Sequence, residues 1–266
     1  MAFPLEITDV PIKDRNVVCL REDASLITAG APEVEMTFAY DSEGRRIRKV
    51  VEVDGVVEDD LCYLWDGWLL LAEIDGVNRM PVRTYAWGPD VSASLRATGG
   101  VGGLAYARDW ERIEITVPLY GDNGNVRAYW SVDEEALVAE YDYGAFGEPL
   151  QVVVDGAREF PFRFSTKYTD SHSGLLYYGF RYYDPVTGRW LSRDPIEERG
   201  GLNLYAFVGN DGINAWDLLG EKGSEQPEPS PNLSPKEEWD LSNGPEKEQF
   251  STSFEREGSK GVKRKI

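Results

Sequence analysis

Few residue types in this chain can do chemistry, and elimination leaves the carboxylates. The 266 residues include one histidine, His172, so a His-dependent nucleophile has a single candidate base and a histidine cluster for a metal is excluded. His172 lies in Thr169-Asp170-Ser171-His172-Ser173-Gly174, which reads as a polar turn. Cys19 and Cys62 stand far apart and match neither a disulfide framework nor metal-ligand spacing. Gly100-Val101-Gly102-Gly103-Leu104-Ala105 mimics a dinucleotide fingerprint, yet it follows no strand-like run and opens no amphipathic helix. Asp122-Asn123-Gly124-Asn125 lacks the spaced acids and final glutamate of a calcium loop and reads as a β-turn. Neither a cofactor nor a metal is expected. Asp and Glu number 47 against 28 Lys and Arg, a net charge of −19. From Glu221 onward ten acids face eight bases, so residues 1–220 carry −17 of that charge. Such a body lacks the concentrated basic surface that tracks phosphates, which disfavours nucleic acid and anionic membranes as partners.

The elements that must position any acid are short strands. Met36-Thr37-Phe38-Ala39-Tyr40 alternates, Asp41-Ser42-Glu43-Gly44 makes a turn, and Arg45 to Val51 alternates again, which predicts a hairpin. Related units occur at Trp65-Asp66-Gly67, Tyr85-Ala86-Trp87-Gly88, Tyr120-Gly121-Asp122-Asn123-Gly124 and Tyr141-Asp142-Tyr143, several at roughly twenty-residue spacing. A lone hairpin cannot cover its apolar face, whereas stacked hairpins share one sheet. Glu111 to Val117 and Arg158 to Phe164 alternate strictly and predict strands with apolar side chains on one face. Gly99-Gly100-Val101-Gly102-Gly103 predicts a flexible loop or bulge-rich crossing. Residues 1–34 form a lead-in of uncertain order. Beyond Gly220 the chain turns rich in Pro, Glu and Ser with sparse hydrophobic residues, the composition of a disordered tail over 221–266. Met1 is followed by no basic start and apolar run, and no stretch approaches a membrane span.

From Phe162 to Gly220, aromatic residues interleave with turn formers. Five ordered blocks carry a resemblance there: Phe162-Arg163-Phe164-Ser165; Gly179-Phe180-Arg181-Tyr182-Tyr183-Asp184-Pro185; Gly188-Arg189-Trp190-Leu191-Ser192-Arg193-Asp194-Pro195; Gly200-Gly201-Leu202-Asn203-Leu204-Tyr205; and Asn210 through Gly220. Tyr40-Asp41-x-x-Gly44-Arg45 and Tyr183-Asp184 with Gly188-Arg189 repeat one further unit. This arrangement resembles the repeat-associated core domain of the RHS/YD-repeat family, whose members build β-structured shells around a variable C-terminal cargo, often a toxin. The resemblance implies an all-β chain: degenerate YD-repeat hairpins over 35–155 forming part of a shell, then a core domain over 156–220.

In relatives the core domain acts as an intramolecular aspartyl protease that frees the cargo just after a terminal Asp-Pro-x-Gly segment. The matching positions are Asp194, with Arg193 beside it, and Asp217. Two close carboxylates cannot both ionise, so one would keep a proton while the other activates water, with Arg193 orienting an acid or steadying the oxyanion. Three departures touch that turn: Leu218 replaces Pro, Asn210-Asp211-Gly212 replaces Asn-Asn-Pro, and Glu221 replaces an apolar residue. The expected function is therefore a scaffold, a shell-forming or shell-closing segment of a bacterial, secreted or cell-surface polymorphic toxin. It would be the end of a larger ancestral protein or an orphan module copied from one. A self-cleaving aspartyl protease is the alternative, and a carbohydrate-binding surface built on exposed Trp and Tyr is a third reading. The partners that the resemblance implies are upstream shell repeats, a secretion apparatus or an immunity protein.

Overall fold

The computed structural model describes residues 5–8, 17–22, 32–94, 99–199, 201–212, 215–221 and 223–225. Most of the lead-in and nearly all of the 221–266 tail therefore lie outside the described residues. Among the described residues there is no α-helix, only strands and single 3-10 turns, and no helix long and apolar enough to cross a membrane. The chain is all-β.

Twelve strands follow one another in a single antiparallel sheet, in chain order. They are β1 (Leu5–Thr8), β2 (Val17–Glu22), β3 (Val34–Tyr40), β4 (Arg46–Val53), β5 (Val56–Asp66), β6 (Leu69–Asp75), β7 (Pro81–Trp87), β8 (Leu104–Asp109), β9 (Glu114–Tyr120), β10 (Val126–Ser131), β11 (Ala136–Tyr143) and β12 (Pro149–Val154). The β3–β4 hairpin shows why the repeat folds locally. Met36 pairs with Val51 in register, and both are buried with Phe38. Between the strands, Asp41 Oδ1 accepts the amides of Glu43 and Arg45 at 2.9 Å each, and Arg45 Nε reaches Asp41 Oδ2 at 2.7 Å. Gly44 closes the turn at φ 82°, where a side chain would be strained. The Tyr-Asp-x-x-Gly-Arg unit is thus a turn tied by its own carboxylate. Asp184 does the same for the Val186 amide and the Thr187 hydroxyl. Asp75 and Asp109 repeat the device, at turns that the sequence motif does not mark.

The chain after β12 crosses one face of this sheet. It carries a four-stranded sheet of β13 (Tyr168–Thr169), β14 (Leu176–Tyr177), β15 (Tyr182–Asp184) and β16 (Arg189–Trp190), then the pair β17 (Ala215–Asp217) and β18 (Gly223–Glu225). Its rings meet those of the long sheet mostly edge-on or tilted, while Phe160 stacks on Tyr129 at 4.3 Å. Phe162 lies 4.9 Å from Tyr85 and 5.2 Å from Trp87, and Tyr168 lies 5.8 Å from Tyr63. Further along, Phe180 lies 4.9 Å from Trp68 and Tyr182 5.7 Å from Phe38. Side chains alternating with the buried set, such as Leu64, Tyr106, Trp130 and Leu137, are exposed. Edge-to-face aromatic pairs add to area burial, so this interlock is the main glue between sheet and core segment.

The same interface buries charge. Arg46 is fully enclosed, its guanidinium 4.5 to 5.4 Å from the rings of Tyr63, Tyr168, Tyr177 and Phe38. Lys49 Nζ reaches Asp170 Oδ2 at 2.7 Å, and Arg46 Nη1 lies 3.5 Å from the same oxygen. Burial alone would raise the Asp170 carboxyl, but the charges of Lys49 and Arg46 hold it down at about 2. His172 sits in the 170–174 turn with Nδ1 3.1 Å from Lys49 Nζ, a polar turn as its sequence implies.

Three expectations need correction. In β9 it is Glu114, Thr116 and Pro118 that face inward, while Ile113 is 71% exposed, because Arg158 arrives over Glu114 at 3.0 Å and makes the inner surface polar there. Arg158 to Phe164 is not a strand: Phe160, Phe162 and Phe164 share the buried side as expected, but this extended segment has only the Phe162–Tyr168 bridge and ends in a 3-10 turn over Phe164–Thr166. The Gly99–Gly103 stretch is a packed turn between β7 and β8, with Val101 fully buried; Leu95, at the end of the preceding run, lies outside the described residues. A Cβ on Gly100 would stand 2.7 Å from both Leu69 and Trp87, so close packing, not looseness, requires glycine there.

Two outcomes follow from the interlock. Phe162→Ala should cost roughly 3–5 kcal/mol in urea unfolding, whereas Leu202→Ala, 92% exposed, should change stability by less than about 0.5 kcal/mol. Asp170→Asn should cost roughly 3–5 kcal/mol at pH 7, since it leaves Lys49 and Arg46 buried without their counter-charge. Because the folded carboxyl is depressed, its contribution is present above the ordinary Asp value and lost as pH falls toward about 2. The gap between wild type and Asp170→Asn should narrow over that range.

Candidate active site

Two acids expected from the sequence, Asp194 and Asp217, meet at one guanidinium. Asp194 follows β16 in an Asp-Pro turn, its Oδ1 accepting the Ile196 amide at 2.9 Å and its own amide donating to the Leu204 carbonyl at 3.1 Å. Asp217 ends β17, and its Oδ1 accepts three successive amides, from Leu219 at 3.1 Å, Gly220 at 2.6 Å and Glu221 at 3.2 Å. The acids are 9% and 2% exposed. Arg181 Nη2 lies 3.0 Å from Asp194 Oδ2 and 3.6 Å from Asp217 Oδ2. Its Nε donates to the Gly220 carbonyl, its Nη1 reaches the Leu204 carbonyl at 3.3 Å, and its plane lies 4.2 Å over the Trp190 ring.

Arg193, the arginine adjacent to Asp194 in sequence, does not occupy this position: it is exposed on the Asp-Pro turn. The guanidinium between the acids comes from Arg181, in the Gly179-Phe180-Arg181-Tyr182-Tyr183 block. A charged residue inside a run of buried aromatics needs buried counter-charges, and that is the signal by which Arg181 could have been found.

A second cation completes the site. Lys167 is buried, its Nζ donates to the Leu218 carbonyl at 2.6 Å, and it lies 5.1 Å over the Tyr178 ring. The Phe180 amide donates to the Leu219 carbonyl at 3.0 Å. Carbonyls 218, 219 and 220 are therefore each held by a donor of the core segment, while amides 219, 220 and 221 are held by Asp217. Burial raises Asp217, and the Gly220 amide, Arg181 and Lys167 offset only part of that. Burial pushes Lys167 down to about 8 against the pull of Asp217 and Asp90, and it lowers Arg181 despite Asp194 and Asp217. Chemically, Arg181 Nε donates to the Gly220 carbonyl of the Gly220–Glu221 peptide bond, and two buried acids stand beside the same guanidinium, an arrangement in which one acid can donate a proton and the other accept one. Glu221 is half-buried, and Asp211 anchors the Ala215 amide at 3.1 Å through its carbonyl. Among the described residues no cluster of His, Cys, Asp and Glu could hold a metal. Cys62 is a free thiol beside Arg79.

No family model matches the chain. It is 31% identical over 202 residues to double-stranded DNA deaminase toxin A of Burkholderia cenocepacia, covering 70% of this chain and 14% of that protein. It is 29% identical over 219 residues to toxin protein Tse5 of Pseudomonas aeruginosa, covering 72% of this chain and 16% of Tse5. A 55-residue stretch is 53% identical to toxin subunit YenC2 of Yersinia entomophaga, covering 21% of this chain and 6% of that subunit. The chain thus spans well under a fifth of the length of these relatives. Among solved structures, TcdB2-TccC3 without its hypervariable C-terminal region superposes with a TM-score of 0.57 at 21% identity, over 81% of this chain and 10% of that one, which shows a shared fold.

Arg181→Met should destabilise the chain by roughly 3–5 kcal/mol, by leaving two buried acids without their shared cation. Asp194→Asn added to it should recover part of that loss, because one of the two acids is then neutral. Urea unfolding of the double-mutant cycle checks both. For Lys167 the folded value of about 8 lies below the ordinary lysine value of 10.5, so the unfolded chain holds more protons between the two and stability should rise with pH there. The urea midpoint of wild type, measured against Lys167→Met, should climb from about pH 8 to about pH 9.5.

Proposed function

This chain belongs to the RHS/YD-repeat family, and on that premise we propose that it is a shell-closing scaffold of an RHS-type polymorphic toxin. The observation that carries the reading is the ring interlock: the segment after β12 covers one face of a continuous twelve-strand sheet, from Phe38 on β3 to Tyr129 on β10. A sheet of hairpins exposes an apolar face that must be covered, and here the same chain supplies the cover. β1 and β12 form the two edges of the sheet, and further shell repeats would add to such an edge by strand pairing. In this reading the Asp217–Glu221 turn is the exit point, where the chain leaves the closed core toward a cargo. Delivery would involve a secretion apparatus, and an immunity protein would answer the cargo rather than this module.

A second reading is favoured by the convergence of Asp194 and Asp217 on Arg181: the exit point is an intramolecular aspartyl protease cutting after Gly220. Against efficient cutting, Asp217 Oδ1 is taken up by three amides, and Glu221 places a charge where the core would bury an apolar residue. The carbohydrate-binding reading would draw on the exposed Tyr106, Trp110, Trp130 and Tyr205, not on Trp65, Trp68 and Trp87, which face other rings.

The scaffold reading is tested by truncation. A chain ending at Val154 should lose cooperative unfolding and self-associate, since its aromatic face is bare, while a chain ending at Glu225 should unfold with the full-length midpoint; a stable monomer ending at Val154 overturns the reading. The protease reading is tested by intact mass. Wild type should remain at full mass, and Leu218→Pro combined with Glu221→Leu should permit cutting near Glu221 that Asp194→Asn or Asp217→Asn abolishes. Cutting that persists in both Asn variants removes the aspartyl mechanism.

A further inference from the structure

Loops of the long sheet converge on one lysine. Ser165 and Thr166, immediately before Lys167, stand at φ 50° and 51°, a left-handed backbone that is costly for any residue with a side chain and more so for β-branched Thr166. The surroundings over-determine this strained turn. Thr166 Oγ1 donates to the Gly124 carbonyl at 2.6 Å and accepts the Gly102 amide at 2.8 Å, and the Ser165 amide donates to Asn125 Oδ1 at 2.7 Å. The β7–β8 loop and the β9–β10 turn thereby grip the two residues that precede the lysine whose Nζ reaches the Leu218 carbonyl. Gly99 brings the β7–β8 loop to the same spot: a Cβ there would lie 3.4 Å from the Leu218 oxygen and 3.7 Å from Lys167 Nζ. Strained backbone that its surroundings hold in place is a mark of a position where geometry matters.

Resting on the reading of the Asp217–Glu221 turn as the exit point, we propose that Lys167 is its positioning residue: the ammonium, fixed by the sheet's loops through the Phe164–Thr166 turn, holds the Leu218 carbonyl and so registers the Gly220–Glu221 peptide against Arg181, Asp194 and Asp217. Arg181 and Lys167 divide the task. Arg181 binds the last carbonyl of the turn and both acids, whereas Lys167 binds the first carbonyl and ties the turn to the repeat sheet. The state of the hairpin loops is in this way transmitted to the exit peptide. A lysine suits the position because a charge-assisted donor to a carbonyl is stronger than a neutral one.

The test is residue-resolved hydrogen exchange on the full chain at pH 7. In Lys167→Met the amides of Leu219, Gly220 and Glu221 should exchange at least about tenfold faster than in wild type, while amides of β4 and β10 keep their protection. Lys167→Gln, which restores a side-chain donor, should stay within about threefold of wild type. Unchanged protection of the turn in Lys167→Met overturns the proposal, as does loosening of β4 and β10 to the same extent, which would make the lysine a packing element only. Should Lys167→Met not fold, wild type labelled with 15N-lysine decides: a slowly exchanging Nζ proton signal that disappears in Lys167→Gln supports the proposal, and no such signal overturns it. Intact mass of the same samples reports cutting separately, so the role of Lys167 is tested even in a chain that never cuts.

Discussion

The inner face of the twelve-strand sheet cannot stay bare, and that constraint organises the molecule. Strands from β3 to β11 bury residues such as Phe38, Tyr63, Tyr85 and Tyr129 on one side, and the only described cover is the segment that follows β12 in the same chain. Cover and sheet are joined by ring against ring, Phe162 between Tyr85 and Trp87, Tyr168 against Tyr63, Phe180 against Trp68. The short strands of the core segment, two or three residues each, are too small to be stable by pairing alone. They exist because the sheet holds their tyrosines, and they in turn cover the face that the sheet would otherwise expose.

Charge is buried at the same seam, and in two places it serves different ends. Arg46 and Lys49 with Asp170 fasten the first hairpins to the core segment, with aromatic faces supplying what the hydrogen bonds to Arg46 do not. At the far end Arg181 and Lys167 oppose two acids, Asp194 and Asp217, where the first cluster has only Asp170, and here both cations also bind the backbone of a turn. The first cluster is a clasp between elements. The second is a clasp around the backbone of one turn, Leu218 to Gly220.

Much of this was legible in the residues. The alternation of Met36 to Tyr40, the Asp41–Gly44 turn and the aromatic density after Phe162 announced stacked hairpins and a β-rich core, because strand period and turn chemistry are local properties. Both acids were reachable through the resemblance of Ser192-Arg193-Asp194-Pro195 and Asp217-Leu218-Leu219-Gly220. The cations were not. Sequence adjacency suggested Arg193, whereas the guanidinium arrives from Arg181 in the connection between β14 and β15, and nothing in Phe164-Ser165-Thr166-Lys167 shows that a strained turn aims its lysine at residue 218. The inward face of β9 was misread for a related reason: Glu114 is buried by Arg158, a partner 44 residues away. Long-range pairing of charges is set by topology, which local pattern does not encode.

The central claim is that sheet and core segment are one cooperative structure, each stable only against the other. Equilibrium urea unfolding of the full chain, followed at once by far-ultraviolet circular dichroism for the strands and by near-ultraviolet circular dichroism for the packed rings, tests it most directly. A single transition with coincident midpoints from both probes is the expected result. A ring signal lost well before the strand signal, with the sheet persisting as a folded body, would contradict it.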